Sequence, residues 1–168
     1  MNHSERNRSL QGLAAAERAH QRATGGGLGD IAIYVQVRSC NVMMSERLAN
    51  LLAPHDLTGL GYITMMALYS RAENLANPSE LSEATGETRG NMTRICDELV
   101  DKGWMRRVPN AEDRRRVDLS LTDSGMALLN KLAPQLRQNA DDFYKRSFTK
   151  SEKAALLQLL TKFSEALA

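Results

Sequence analysis

No apolar run in this 168-residue chain approaches the roughly 20 positions that a membrane-spanning helix requires, and its first residues lack the uninterrupted apolar core of a secretory signal. Cysteine is scarce: Cys40 and Cys96 are the two, each on an apolar helical stripe, which excludes a disulfide framework and fits a reducing compartment. A cytoplasmic location with no membrane partner is the expectation. The histidines His3, His20 and His55 are scattered and share no metal-ligand spacing with the cysteines. Gly25-Gly26-Gly27 precedes no strand–loop–helix unit that would cradle a phosphate, and Asp141-Asp142 reads as a solvated helical surface. These absences argue against an enzyme, a bound metal or a cofactor. A charge of one sign is also missing, because the net is only +2, so any polyanion must be met by a local cluster rather than by a uniformly basic surface.

What is present is enough apolar material, 42% of the residues, for one compact unit. The informative stretch runs from Asn77 to Thr122. Asn77, Pro78, Ser79 and Glu80 supply a capping side chain, a proline at the first helical position and a carboxylate three residues after the cap. Leu81 and Ala84 face inward, and Gly86 takes the positive φ that ends this short helix. A second helix follows from the cap Thr88 to Lys102, with Met92, Ile95, Cys96, Leu99 and Val100 on one buried stripe. Gly103 then closes it in a Schellman-type finish that packs Trp104 back on Leu99.

The charges on that helix oppose its own dipole. Arg89 and Arg94 lie in the first half, whereas Asp97, Glu98 and Asp101 lie in the second. Cations at the front, with Asn91 and Thr93 beside them, suit a helix whose first turns meet base edges and phosphates. Trp104 to Val108 and Val117 to Leu121 read as strands, with Val117, Leu119 and Leu121 inward against Asp118 and Ser120 outward. Between them Pro109-Asn110-Ala111-Glu112-Asp113-Arg114-Arg115-Arg116 concentrates guanidinium groups at a hairpin tip. Such a tip suits a narrow minor groove. Helix, turn, helix and a two-stranded β-wing make a mainly α winged helix-turn-helix, with double-stranded DNA as the expected partner. The expected contacts are Ser79, Thr88, Arg89, Gly90, Asn91, Thr93, Arg94, Arg107, Asp113, Arg114, Arg115 and Arg116.

The flanks have a different character. Residues 1–27 read as a flexible arm ending in a glycine break, with Arg6, Arg8, Arg18 and Arg22 able to touch DNA or a partner subunit but more simply read as cations of a solvated tail. Leu28 to Ala53 reads as a long helix with Ile33, Tyr34, Val37, Cys40, Met44, Leu48 and Leu51 near helical spacing, stopped by Pro54. A helix starting at Thr58 is expected to bury Leu60, Ile63, Met66 and Ala67. After Thr122 a long helix is expected to be interrupted and kinked at Pro134, and Thr149-Lys150-Ser151-Glu152 caps a last one. That last helix carries Leu156, Leu157, Leu160, Phe163 and Leu167, a stripe too apolar to stand alone. The economical cover is a second copy of the chain, so the helices of 28–56 and 123–168 are expected to form a dimerisation region around a DNA-binding lobe at 57–122.

Asp113-Arg114-Arg115 before a strand ending in Leu121-Thr122, preceded by Thr93-Arg94 and Gly103-Trp104, resembles the MarR family of bacterial transcription regulators. The phrases Pro78-Ser79-Glu80-Leu81-Ser82 and Asn91 to Leu99 are similar to its multidrug-pump repressor branch, EmrR or MprA. The resemblance covers Leu57 to the C-terminus. It implies a homodimer whose second helices enter adjacent major grooves of a pseudo-palindromic operator while Arg115, oriented by Asp113, enters the minor groove. It also implies a repressor released by a small aromatic or amphipathic effector held between the dimerisation helices and the DNA-binding lobe. Tyr34, Arg38, Met43, Met44, Tyr62, Met65, Met66 and Tyr69 are the residues expected there, although core packing is the commoner role of any one methionine. Two other readings stand beside this one. Cys40 is the residue on which a redox-sensing regulator would depend, but the peroxide-sensing branch of the family has its reactive cysteine about where this chain has Tyr34. A winged helix used only for protein interaction would not need the exposed arginines.

Overall fold

The computed structural model describes residues 3–71, 73–110 and 117–167. The chain divides into two compact units, Met1–Leu60 and Gly61–Ala168.

In the first unit, α1 (His3–Thr24) packs on α2 (Ile31–Leu52), and a 3-10 turn at Ala53–His55 follows around Pro54. The loosely ordered arm expected over residues 1–27 is instead helical from His3 to Thr24. Ala14, Ala15, Ala16 and Ala19 are the strongest helix formers, and a neighbouring helix supplies the packing that a polar segment lacks alone. The break falls where the glycines stand: Gly25 adopts φ +74 and its N–H bonds the Gln21 carbonyl at 2.9 Å. Along α2 several apolar positions remain open, with Ile33, Tyr34 and Met44 each more than half exposed, whereas Leu52 at its end is buried.

The second unit takes in most of α3 (Gly59–Tyr69), then β1 (Leu75–Ala76), α4 (Pro78–Thr85), α5 (Arg89–Asp101), β2 (Met105–Pro109), β3 (Val117–Leu121), α6 (Asp123–Ser147) and α7 (Lys150–Leu167). Its core gathers Met65, Leu68, Leu81, Met92, Ile95, Leu99, Met105, Leu119, Leu121, Leu129 and Leu132, each buried. Burial of each such side chain stabilises the fold by about 1.5–3 kcal/mol. The buried hydroxyl of Thr64 donates to the Met92 sulfur at 3.8 Å.

The buried face of α3 differs from the expected one. Gly61, Thr64, Met65 and Leu68 are buried, whereas Ile63 is 44% exposed. Both stripes have helical spacing, and a helix apolar nearly all round offers periodicity no means of choosing between them.

The sheet has three antiparallel strands in the order β1-β3-β2, one more than the expected two-stranded wing. Leu75 pairs with Ser120 and Ala76 with Leu119, so β3 is central. Two residues of β1 are too few for alternation to announce a strand. The added strand also explains why Ser120, expected outward, is buried at 8% exposure. Val117, expected inward, is 47% exposed because it lies at the far end of β3 opposite Pro109, beyond the reach of β1.

Thr122 caps α6 through Gly125 N–H at 3.1 Å, and α6 then continues through Pro134 without the expected interruption. The lost amide bond is outweighed where Leu129 and Leu132 are anchored in the core beside it. The reciprocal cap at Thr149 and Glu152 forms as expected, with Thr149 N–H on the carboxylate at 2.7 Å and Glu152 N–H on the hydroxyl at 3.3 Å. The Thr149 N–H first, and then the Thr149 hydroxyl, which also donates to the carboxylate at 2.8 Å, hold the Glu152 carboxyl below its usual range. Leu156, Leu157, Leu159, Leu160 and Leu167 stay exposed along α7. Among the described residues no helix is long and apolar enough to cross a membrane.

Candidate nucleic-acid interface

Two caps and one hydroxyl set the angle between α4 and α5. Asn77 and Glu80 form the full capping box, each side chain accepting the other's backbone N–H at 3.1 Å, and Arg71 sits 3.7 Å from the same Glu80 carboxylate. At the other end Gly86 adopts φ +73, a left-handed conformation that a side chain would strain. Ser82 then ties the turn down: its hydroxyl donates to the Glu87 carbonyl at 2.8 Å, and its own carbonyl accepts Glu87 N–H at 3.1 Å. Ser79 is half-buried on the first turn of α4. Thr88 caps α5 by accepting Asn91 N–H at 3.3 Å.

Met92, Ile95, Cys96 and Leu99 bury one side of α5, which leaves Arg89, Gly90, Thr93 and Arg94 exposed on the opposite side. Their i, i+4 spacing places them over two successive turns of one face. The Thr93 hydroxyl donates back to the Arg89 carbonyl at 3.0 Å, which leaves its oxygen free to accept. The half-buried Asn91 is held from both sides: Nδ2 donates to the Glu87 carboxylate at 2.8 Å, and Oδ1 accepts from Arg94 Nη2 at 3.1 Å. Arg94 Nη1 lies 3.7 Å from Glu98, whose other oxygen takes Lys102 Nζ at 3.1 Å, and that ammonium stands 5.3 Å from the Trp104 ring centre.

Two carboxylates of the rear half of α5, Asp97 and Glu98, are therefore engaged within the fold. Asp97 pairs with Arg107 on β2 in a contact that ties the wing to α5. Arg107 remains 58% exposed, so its guanidinium bridges the two elements rather than standing ready for a polyanion alone. Sequence reading missed Glu87, Asp97, Glu98 and Lys102 as partners. The i, i+4 spacings of Arg94–Glu98 and Glu98–Lys102 were a usable signal, whereas Asp97–Arg107 depends on how the strand folds back.

The wing leaves and returns at Pro109 and Val117, which are cross-strand partners, and Asn110 Nδ2 donates to Asp118 at 2.7 Å at that point. Asp113, Arg114, Arg115 and Arg116 lie outside the described residues. The base of the wing is joined to α6 by a dense knot. The Gly103 carbonyl accepts the hydroxyls of Thr122 at 2.6 Å and Ser124 at 2.8 Å, and the Trp104 carbonyl accepts Thr122 N–H at 3.0 Å. Trp104 N–H reaches the Leu99 carbonyl at 3.0 Å, completing the Schellman finish, with Gly103 at φ +72.

Cys96 is buried, and burial first, then the neighbouring Asp97, pushes its thiol up to about 11 against the opposing pull of Arg107. It is a protonated core side chain rather than a nucleophile. Cys40 is exposed on α2. The residues expected to meet an effector fall in both units. On α2, Tyr34 (64% exposed), Arg38 and Met44 are open and Met43 is half-buried. On α3, Met65 is fully buried core, Met66 is half-buried, and burial raises the pKa of the half-buried Tyr62 hydroxyl. Tyr69 turns its hydroxyl to Asn130 at 3.4 Å.

A capped helix pair with a wing tied to its second helix defines a winged helix-turn-helix protein. The MarR family model matches residues 55–116. The chain is 36% identical over 100 residues to the transcriptional repressor MprA of Escherichia coli K12, covering 58% of this chain and 57% of that protein, so it spans little more than half of that relative. It is 31% identical over 122 residues to the multiple antibiotic resistance protein MarR of Salmonella typhimurium, 73% of this chain and 83% of that one. The protein belongs to the MarR family. Among solved structures, a mutant MarR of E. coli complexed with operator DNA superposes with a TM-score of 0.71 at 27% identity, covering 86% of this chain and 96% of that one. AbsC of Streptomyces coelicolor shares the fold, with a TM-score of 0.73 at 20% identity over 82% of this chain and 93% of that one.

Proposed function

We propose that this chain is a cytoplasmic DNA-binding regulator of transcription, acting as a homodimeric repressor on a pseudo-palindromic operator. The observation that carries the reading is the solvent face of α5, where Arg89, Gly90, Thr93 and Arg94 stand exposed on a helix whose start is fixed by Thr88 and whose end is tied to the wing. Side chains at the first turns of such a helix reach base edges in a major groove, and a basic tip alongside reaches the neighbouring minor groove. The mutant MarR structure, complexed with operator DNA, supports the same use of the fold here.

Dimerisation follows from the apolar surface left open within each unit. Leu157, Leu159 and Leu167 of α7 are each more than 60% exposed, and Ile31, Ile33 and Tyr34 open the start of α2. A monomer keeping these in water forgoes the stabilisation that a second copy supplies. A two-fold dimer places its recognition helices about one DNA turn apart, roughly 34–36 Å. An aromatic or amphipathic effector released into this system acts by binding the non-operator conformation better, and tenfold release of DNA needs about 1.4 kcal/mol of differential binding.

The test is capture of genomic fragments by the purified full-length protein, followed by sequencing and by fluorescence anisotropy on the enriched duplexes across a salt series. The expected result is a small set of inverted-repeat sites bound with strong salt dependence. Failure to retain any duplex at low salt would remove the DNA reading, and preferential retention of RNA would redirect it.

A further inference from the structure

We infer that Glu87 is a positioning residue that aims Arg94 at a guanine edge through the side chain of Asn91; the inference rests on the DNA-binding reading above. An asparagine on a recognition helix ordinarily reads adenine by presenting its amide N–H and carbonyl together. Here both ends of that amide are already engaged, Nδ2 by the Glu87 carboxylate at 2.8 Å and Oδ1 by Arg94 Nη2 at 3.1 Å. A flipped amide would set its oxygen against the carboxylate and its NH2 against the guanidinium, so the two neighbours together determine one orientation. Asn91 is a connector rather than a reader.

Arg94 is what the connector holds. Its side chain is 69% exposed, and its second nitrogen, Nη1, stands 3.7 Å from Glu98, itself bound to Lys102. An arginine hydrogen-bonded through Nη2, with a carboxylate near Nη1, favours one plane, and its remaining N–H groups stay available for the paired O6 and N7 acceptors of guanine. Of the two supports, the Glu98 contact is the longer, so the Glu87–Asn91 arm carries the aim. Glu87 is a suitable anchor because its backbone is pinned independently: its N–H and carbonyl both bond Ser82. Changing its side chain therefore spares the turn.

A carboxylate so close to DNA costs some attraction for phosphates. The arrangement lowers affinity for every duplex slightly while sharpening discrimination at one base pair, which distinguishes a specificity-determining group from a phosphate contact.

The experiment is selection from a random-sequence duplex pool by full-length wild type, Glu87→Ala, Glu87→Gln and Arg94→Ala, with anisotropy on the selected and unselected duplexes. Wild type should enrich a G·C pair at one position per half-site, and Arg94→Ala should flatten that position. Glu87→Ala should weaken the preference at the same position about fivefold, a part of the discrimination a bidentate arginine provides, with random-duplex affinity unchanged or raised. Glu87→Gln retains an acceptor for Asn91 Nδ2 and should keep the preference. In the free protein, the Asn91 side-chain amide resonances should be displaced from free-asparagine positions in wild type and Glu87→Gln, and should move toward those positions in Glu87→Ala.

An unaltered preference in Glu87→Ala, or a change at a position other than the one Arg94→Ala flattens, would overturn the positioning role while leaving the DNA reading intact. Unaltered Asn91 resonances in Glu87→Ala would do the same. A wild type that enriches no sequence and holds no duplex would overturn both.

Discussion

Alanine at position 125 should destabilise the protein although the site is helical, where alanine is ordinarily favoured over glycine by about 1 kcal/mol. Gly125 lies in the first turn of α6 and its N–H bonds the Thr122 cap at 3.1 Å. A methyl group added there would stand 2.1 Å from the Trp104 carbonyl oxygen and 3.0 Å from its carbon. Both are backbone atoms, and the same oxygen already accepts Thr122 N–H. No side chain can rotate away, so α6 must lift from the end of β2 or the knot around Gly103 must open. Overpacking of this kind costs about 1–3 kcal/mol, and a clash with backbone atoms places it toward the upper end, so about 1–2 kcal/mol of destabilisation remains after the gain in helix propensity. At roughly 2–4 °C per kcal/mol for a chain of this size, the midpoint should fall by several degrees. Thermal unfolding followed by far-UV circular dichroism, at fixed protein concentration because a dimer's midpoint depends on it, is the assay. A midpoint equal to or above wild type would refute the claim that α6 is held against the Trp104 backbone.

Gly90→Ala is the opposite case, since nothing lies within 4 Å of the added methyl: the protein should gain up to about 1 kcal/mol in stability while duplex affinity falls, because the methyl stands on the face proposed to meet DNA. Arg115→Ala should lose roughly 1–3 kcal/mol of operator affinity in a titration at fixed salt, with unfolding unchanged; equal affinity would take the wing arginine out of the mechanism. Cys40 should react with iodoacetamide in the native protein while Cys96 stays protected until unfolding. Because the Cys96 pKa is raised from 9.0 to about 11 in the fold, its contribution to stability is fully present below pH 9 and is lost as pH rises through about 11, which denaturant titrations at alkaline pH would reveal. Truncation after Phe148 removes α7 and should shift the protein toward monomer in sedimentation velocity, with weaker duplex binding; an unchanged dimer would contradict the proposed interface.

Local chemistry alone was sufficient for the helix pair. Asn77 with Glu80, Thr88 with Asn91, and Gly86 and Gly103 at positive φ are all short-range devices whose partners lie within a few residues, and each stands where the sequence indicated. Four of the five positions read as the buried stripe of α5 were equally legible, because Arg89, Arg94, Asp97 and Glu98 leave only one face apolar; the fifth, Val100, is half-buried at its edge. What only the tertiary structure decided involves partners distant in the chain or choices between equivalent faces. The register of α3 was open because both of its stripes are apolar, and strand β1 was invisible because two residues acquire their role only by meeting Ser120 and Leu119. The same holds for the candidate site. Sequence could point to Arg94, Asn91 and Arg107 as polar residues on the right elements. Only the fold could show Arg107 tied to Asp97 across the turn into β2, whereas Asn91 is held by partners three and four residues away, a spacing the sequence already carried.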